Sequence, residues 1–349
     1  MKPWLTAFTV SAMFFAPNVA HAADPKLLLS ERCKDAPAKA WTPEATKGKT
    51  PPAVVAVKPA EDSAYAAFDE GCYFKALSLA QAAAAKNEPQ AYTLIGQIYE
   101  QGLGAIKDDV KAAEAYAQGA ALGDFNAQFQ IGMMLLQGRG INKNPDKAVS
   151  FLELAAQKNH VLANYNLALV FVEGVTRPQD FVKAAQYLEK AAVQEHPQAQ
   201  FDLGSLYTAG RGVDQDYAKG AYWTGLAAKA GLIDAQLEYG VTLINGRRIR
   251  QKGAEVEVVP KNEVIGLKYL EAAAEKGNPV AQNRVSRAYR FGVGTDYDPL
   301  KSAKWYIIAR GAGVTDPLME LFFSKLPQET RDRAEKAAEE WYDERASAY

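Results

Sequence analysis

Two cysteines and three histidines among 349 residues leave little material for a metal centre or a dense disulfide framework. No His-Glu-x-x-His, Gly-x-Ser-x-Gly or Ser-x-x-Lys sequence occurs, so the common zinc-hydrolase and serine-nucleophile layouts are missing. A charge excess is lacking too: 40 Lys and Arg stand against 41 Asp and Glu, a formal net of −1. Nucleic-acid binders ordinarily carry a basic surplus, so no nucleic-acid partner is expected. After Phe15 no apolar run is long enough to span a bilayer, so no stable membrane insertion is expected either. These absences predict a chain with no catalytic residues, no cofactor and no metal site.

The N-terminus reads as an export leader. Lys2 gives a minimal basic start, Trp4 to Phe15 is mostly apolar, Pro17 breaks the run, and Ala20-His21-Ala22 fits small-x-small cleavage. Removal of residues 1–22, by cleavage after Ala22, is expected. No cysteine stands at that point, which argues against a lipid anchor. In an exported chain the isolated pair Cys33 and Cys72 predicts one disulfide. It would close a loop of about 39 residues, worth roughly 3–4 kcal/mol on the chain-entropy account. Residues 23–60 hold Pro25, Pro37, Pro43, Pro51, Pro52 and Pro59 with little periodicity, and read as an extended arm.

What the chain does have is a repeat. Ala91, Ala127, Ala163, Ala199 and Ala235 recur at a step of 36 residues; after an insertion the anchor resumes at Ala281, and Pro317 closes a last step of 36. A second register, Lys75-Ala76, Lys111-Ala112, Lys147-Ala148, Lys183-Ala184, Lys219-Gly220 and Lys301-Ser302, runs in parallel. Two locked registers at this period predict two helices per unit, called A and B below. The fold class is therefore all-α: an α/α solenoid of about seven helix-turn-helix repeats over residues 61–317, read as one elongated domain, with a helical cap over 318–349.

Small residues recur five positions after each anchor, at Gly96, Gly132, Ala168, Gly204 and Gly240. Glycine inside a helix costs about 1 kcal/mol relative to alanine, so its recurrence predicts close helix approach. The bulky Tyr116, Phe151, Tyr187, Trp223, Tyr269 and Trp305 are expected to lie opposite. Gly102/Gly104, Gly138/Gly140, Gly210/Gly212 and Gly292/Gly294 mark the A-to-B turns, and Asp109, Asp146, Asp180, Asp216 and Asp298 mark helix B starts. Helix B is expected to end at Gly123, Asn159, Gly231, Gly277 and Gly313. His160 and His196, also 36 apart, are read as helix-B termini favoured by the dipole rather than as metal ligands. The Gly-x-Gly turns do not continue as a phosphate loop, so no nucleotide role is expected.

The segment Ala199-Gln-Phe-Asp-Leu-Gly204-Ser-Leu-Tyr207-Thr-Ala-Gly210-Arg-Gly212-Val213, followed by Lys219-Gly220, Trp223, Ala227-Ala228, Gly231 and Ala235, resembles a Sel1-like repeat, a relative of tetratricopeptide arrays. The resemblance covers roughly residues 62–317. It implies a protein-binding superhelix whose helices A line a concave face. Known bacterial members include exported adaptors, signalling regulators and host-interaction proteins. Some cysteine-rich members are linked to β-lactam binding, but this chain lacks their many disulfides.

Carried onto this chain, the exposed helix-A positions are Met133 and Leu136, Leu169 and Val172, and Arg287 and Arg290. Phe129, Tyr165 and Phe201 are expected to pack between helices. The insertion, about 247–262, adds Arg247, Arg248 and Arg250, and its Glu255–Val259 stretch alternates like one strand of a small hairpin. Departures from a repeat often mark a binding face. The expectation is a non-enzymatic adaptor or regulator of the bacterial cell envelope. It would be periplasmic and would hold a protein or peptide with an apolar patch and an acidic flank. An envelope enzyme or cell-wall or β-lactam-binding protein, and a secreted host-interaction factor, are the alternatives. Association with the cell wall is compatible with the first two readings.

Overall fold

The computed structural model describes residues 63–251 and 254–347. The leader, the arm, Cys33 and the expected cleavage site lie outside the described residues. Among those described are sixteen α-helices and one two-stranded hairpin. The chain forms two compact units that divide after Ala155.

The first unit holds α1 (Ala64–Asp69), α2 (Tyr73–Ala84), α3 (Pro89–Gln101), α4 (Asp109–Ala121), α5 (Phe125–Gln137) and most of α6 (Pro145–Gln157). In the second unit come α7 (Val161–Glu173), α8 (Phe181–Ala192), α9 (Pro197–Ala209), α10 (Tyr217–Lys229) and α11 (Ile233–Asn245). The hairpin strands β1 (Arg247–Gln251) and β2 (Ala254–Val259) follow, then α12 (Glu263–Glu275), α13 (Pro279–Phe291), α14 (Pro299–Gly311), α15 (Pro317–Ser324) and α16 (Gln328–Ala346). Odd-numbered helices from α3 to α13 are the A helices, and even-numbered ones from α4 to α14 the B helices.

Local chemistry sets the helix ends. Gly102, Gly138, Gly174, Gly210 and Gly292 close A helices at φ between 66 and 73°, a left-handed turn that releases the chain toward helix B. The expected helix-B ends, Gly123, Asn159, Gly231, Gly277 and Gly313, also have positive φ. So does Glu195 at φ 62°, where the sequence offers no glycine. Helix-B starts are capped by Asp108, Asp180, Asp216 and Asp298, each side chain accepting from a backbone N–H two or three residues on. Asp109 is therefore the first residue of α4 and not its cap. Asn144 rather than Asp146 accepts from Lys147 N, at 3.0 Å.

Four A–B pairs interlock at the small residue, Gly96, Gly132, Gly204 or Gly240. A Cβ at Gly96 would lie 2.6 Å from the Tyr116 ring, and one at Gly204 would lie 2.5 Å from Thr224 Oγ1 and 2.9 Å from Gly220 O. The opposing residues are Tyr116, Leu152, Thr224 and Leu270. Phe151, Trp223 and Tyr269 stand one position away, half-buried, because neighbouring helix positions point about 100° apart.

The final step also departs from expectation. The buried anchor of α15 is Met319 rather than Pro317, which is exposed. The α14–α15 connection is longer than the other B-to-A connections, so the capping Asp316 stands three residues before Met319, as Asp124 stands before Ala127. Beyond it, α16 buries Ala334, Ala338 and Trp341 along one side, packs on α14, and donates Trp341 Nε1 to Glu275 at 2.8 Å. A charged helix with one apolar stripe is how a repeat array shields its last core.

Candidate partner-binding surface

The residue after the anchor is glutamine in four repeats, after Ala127, Ala199, Ala235 and Ala281, and its side chain has a structural task. Gln128, Gln200, Gln236 and Gln282 are buried, and each donates Nε2 to a carbonyl at the end of the preceding B helix, on Ala120, Ala192, Ala228 and Ala274, at 3.1–3.4 Å. Tyr92 reaches the equivalent Ala84 carbonyl through its hydroxyl at 2.9 Å. The last carbonyls of a helix have no partner within it, and a buried one needs an outside donor. Asn164 is too short for this and bonds its own helix at His160 O.

His160 and His196 cap the starts of α7 and α9, correcting the reading as helix-B ends. Nδ1 of each accepts from Ala163 N and Ala199 N, both at 3.1 Å. An imidazole that accepts at Nδ1 must be neutral there, and burial lowers the pKa of His196. Its ring lies 4.7 Å from that of Tyr165.

With these positions absorbed by the fold, the outward side of the A helices comes into view. Phe129 is buried, and Tyr165 and Phe201 pack against interior clusters, as their spacing predicts. In the first unit Met133 is half-buried, while Leu136 packs partly into the core. In the second, Leu169 and Val172 are half-buried on α7. On the same helix faces stand Asp202 and Glu238, three residues past their anchors. Burial raises both pKa values, that of Asp202 to about 6. Asp202 accepts from Tyr165 Oη at 3.1 Å and Gln198 Nε2 at 3.0 Å, and these bonds partly offset the burial. Sequence reasoning passed over Asp202; its signal was an acid at a position held by Leu94, Gln130 and Asn166 in other repeats.

The expected arginines are differently employed. Arg287 Nε donates to Asp316 at 2.6 Å, with Asn283 on the same carboxylate, so its charge is countered inside the chain. Arg290 donates to the Leu318 carbonyl at 2.6 Å. Both tie α13 to α15. Arg247, Arg248 and Arg250 are exposed on the hairpin, whose formation from the alternating insertion was expected. Arg248 stands opposite Glu257 and Arg250 opposite Glu255, so the hairpin is not a simple basic patch. Arg247 lies over the Tyr217 ring at 4.2 Å. Cys72 is buried at the start of α2. Among the described residues no helix is long and apolar enough to cross a membrane.

The Sel1 repeat profile matches residues 89–124, 126–160, 161–196, 197–232, 233–278 and 279–313. Among solved structures, a Sel1 repeat protein from Oxalobacter formigenes is similar at 26% identity and a TM-score of 0.59, over 71% of this chain and 98% of that one. The protective antigen c5321 of uropathogenic Escherichia coli, which displays an SLR fold, is similar at 21% identity and a TM-score of 0.51, over 78% of this chain and 64% of that one. No curated protein matches the sequence. Sel1 repeats are generally scaffolds for protein–protein interaction rather than catalytic folds. Helix pairs at a fixed step, interlocked at small residues and matched by six consecutive repeats, place this chain in the Sel1 repeat family.

Proposed function

We propose that this chain is an exported adaptor or regulator that works in the periplasm and holds a polypeptide partner on the outward side of its A helices. In this reading residues 1–22 are removed after Ala22, and the arm over 23–60 precedes the repeats at 61–317 and the cap at 318–349. The Cys33–Cys72 disulfide ties the arm to α2, a pairing supported by the absence of a free thiol among the described residues. The observation that carries the binding reading is the repeat position six residues past the anchors: the apolar Met133 in the first unit and Leu169 and Val241 in the second are half-buried, as are the polar Gln97 and Ser205, while the neighbours one and two positions later are mostly core. Apolar side chains left open at a repeated position supply anchors for a partner without altering the fold. Leu136 adds to Met133 in the first unit and Val172 to Leu169 in the second, where the hairpin with Arg247, Arg248 and Arg250 offers a further polar surface.

Crosslinking pull-down from intact cells tests this. Wild type is compared with Met133→Glu/Leu169→Glu and with a chain lacking residues 247–262. A partner captured by wild type and lost in the double variant, with helical content unchanged by circular dichroism, is expected. Equal capture by all three would remove this surface from consideration.

A further inference from the structure

At the end of the second unit one helix is apolar on two sides. α15 buries Met319 and Phe323, four residues apart, against the core it closes. Its other side carries Leu318 and Leu321, three apart and therefore on one face, while the half-buried Phe322 lies at the edge of this face and packs partly on the core. Leu318 is 42% exposed and Leu321 53%. A helix apolar nearly all round ordinarily sits inside a protein. Beside this open face the last residue of α13, Phe291, is 56% exposed. The Arg290 guanidinium lies between the two helices, 4.9 Å from the Phe291 ring and 4.8 Å from that of Phe322.

The charge of Arg290 is what identifies the occupant. Its hydrogen bond goes to the neutral Leu318 carbonyl, with the Met319 sulfur at 3.8 Å. The nearby acids of α15 are engaged elsewhere: Asp316 with Arg287, and Glu320 with Arg310 and the Tyr306 hydroxyl. Arg290 therefore presents a cation, flanked by two aromatic rings, that no carboxylate of α15 neutralises. A guanidinium with spare donors in such a setting matches a carboxylate, and the Leu318–Leu321–Phe291 surround matches apolar side chains next to it.

We propose that this patch docks a segment of a partner polypeptide in which an Asp or Glu side chain lies beside apolar residues. The carboxylate meets Arg290, and the apolar side chains cover Leu318, Leu321 and Phe291. An anionic lipid surface fits less well. Electrostatic attachment to membranes relies on clusters of several basic residues, whereas this patch offers the single cation of Arg290, with the acids Asp316 and Glu320 of the same region already paired. The inference deepens the scaffold reading and rests on it, but it uses residues separate from the Met133 and Leu169 column.

Panning a random-peptide phage library against the full chain is the test, with Leu321→Glu, Arg290→Lys, Arg290→Glu and Met133→Glu/Leu169→Glu in parallel. The expected result is an enriched motif placing Asp or Glu next to Leu, Ile or Phe. Synthetic peptide bearing it should bind about tenfold more weakly to Leu321→Glu and Arg290→Glu, with a smaller loss for Arg290→Lys, and equally well to the Met133/Leu169 variant. Leu321→Glu alters an exposed side chain, so it separates binding from any loosening of α15 in the Arg290 variants. A basic motif, no motif, a motif retained by Leu321→Glu, or binding of phosphatidylglycerol vesicles abolished by the same variants would overturn the proposal. A motif lost only in the Met133/Leu169 variant would uphold the A-helix reading and sink this one.

Discussion

Replacing Arg287 with alanine tests whether this residue belongs to the fold or to a partner. Asp316 is nearly enclosed, with 3% of its side chain exposed, and it accepts from Arg287, Asn283 and the backbone N–H groups of Leu318 and Met319. Arg287 foremost, then these other bonds, lower its pKa from 3.8 to about 2. At about 1.4 kcal/mol per pH unit, the whole set is worth about 2 kcal/mol of stability. Arg287 is half-exposed and screened by water, so its own share is about 1 kcal/mol. The sign follows from linkage. A carboxyl whose pKa falls on folding stabilises above its unfolded pKa, and the contribution fades as pH drops from about 4 to about 2. Denaturant unfolding of wild type and Arg287→Ala, followed by tryptophan fluorescence, should therefore show the variant less stable by about 1 kcal/mol at pH 6. The gap should close as pH falls toward 2. Trp305 and Trp341 lie in the core beside this end of the chain and report on it. Equal stability at pH 6, or a gap independent of pH, would refute the reasoning and return Arg287 to the set of free surface charges.

Three further outcomes are expected. Asp202→Asn should stabilise the protein by about 1–3 kcal/mol at pH 7, because a carboxyl raised to about 6 by burial opposes folding once ionised; the advantage should vanish as pH falls below about 4, as paired unfolding curves would show. Gln200→Ala should cost about 1–3 kcal/mol in the same assay, since it leaves the buried Ala192 carbonyl without its donor. Glu195→Gly should raise stability by about 0.5–1 kcal/mol by relieving a left-handed backbone at φ 62°, and an unchanged midpoint would contradict that.

Much of this architecture was legible because a repeat samples each position several times. The anchors, the small residue at Gly96, Gly132, Gly204 and Gly240, and the glycine turns recur often enough to separate packing from chance. Finer phase was not legible. Trp223 drew attention by size, yet Thr224 meets Gly204, because size says nothing about which of two adjacent positions faces the neighbour. The histidines were assigned to the wrong helix for a related reason: in a tight B-to-A turn one residue ends one element and caps the next. The glutamine that follows four of the anchors has no cause in the sequence alone; its carbonyl acceptors lie eight residues back, at the end of the preceding helix. The pairing of Arg287 was not legible because its carboxylate, Asp316, lies 29 residues away, and neither was the hydrogen bond of Arg290 to the Leu318 carbonyl, 28 residues on, which leaves the Arg290 charge without a carboxylate. Asp202 illustrates the converse, since no local spacing announces a buried carboxyl held by a tyrosine from the previous repeat.

Methionine oxidation gives the most direct test of the binding claim. Met133 is half-buried on the proposed surface, whereas Met134 and Met319 are fully enclosed. Brief hydroxyl-radical exposure of the free protein, read by mass spectrometry, should oxidise Met133 well ahead of the other two. Repeating the exposure with a saturating amount of the partner captured from intact cells should suppress oxidation at Met133 and leave Met134 and Met319 as they were. Met133 oxidised at the same rate with and without that partner would contradict the account.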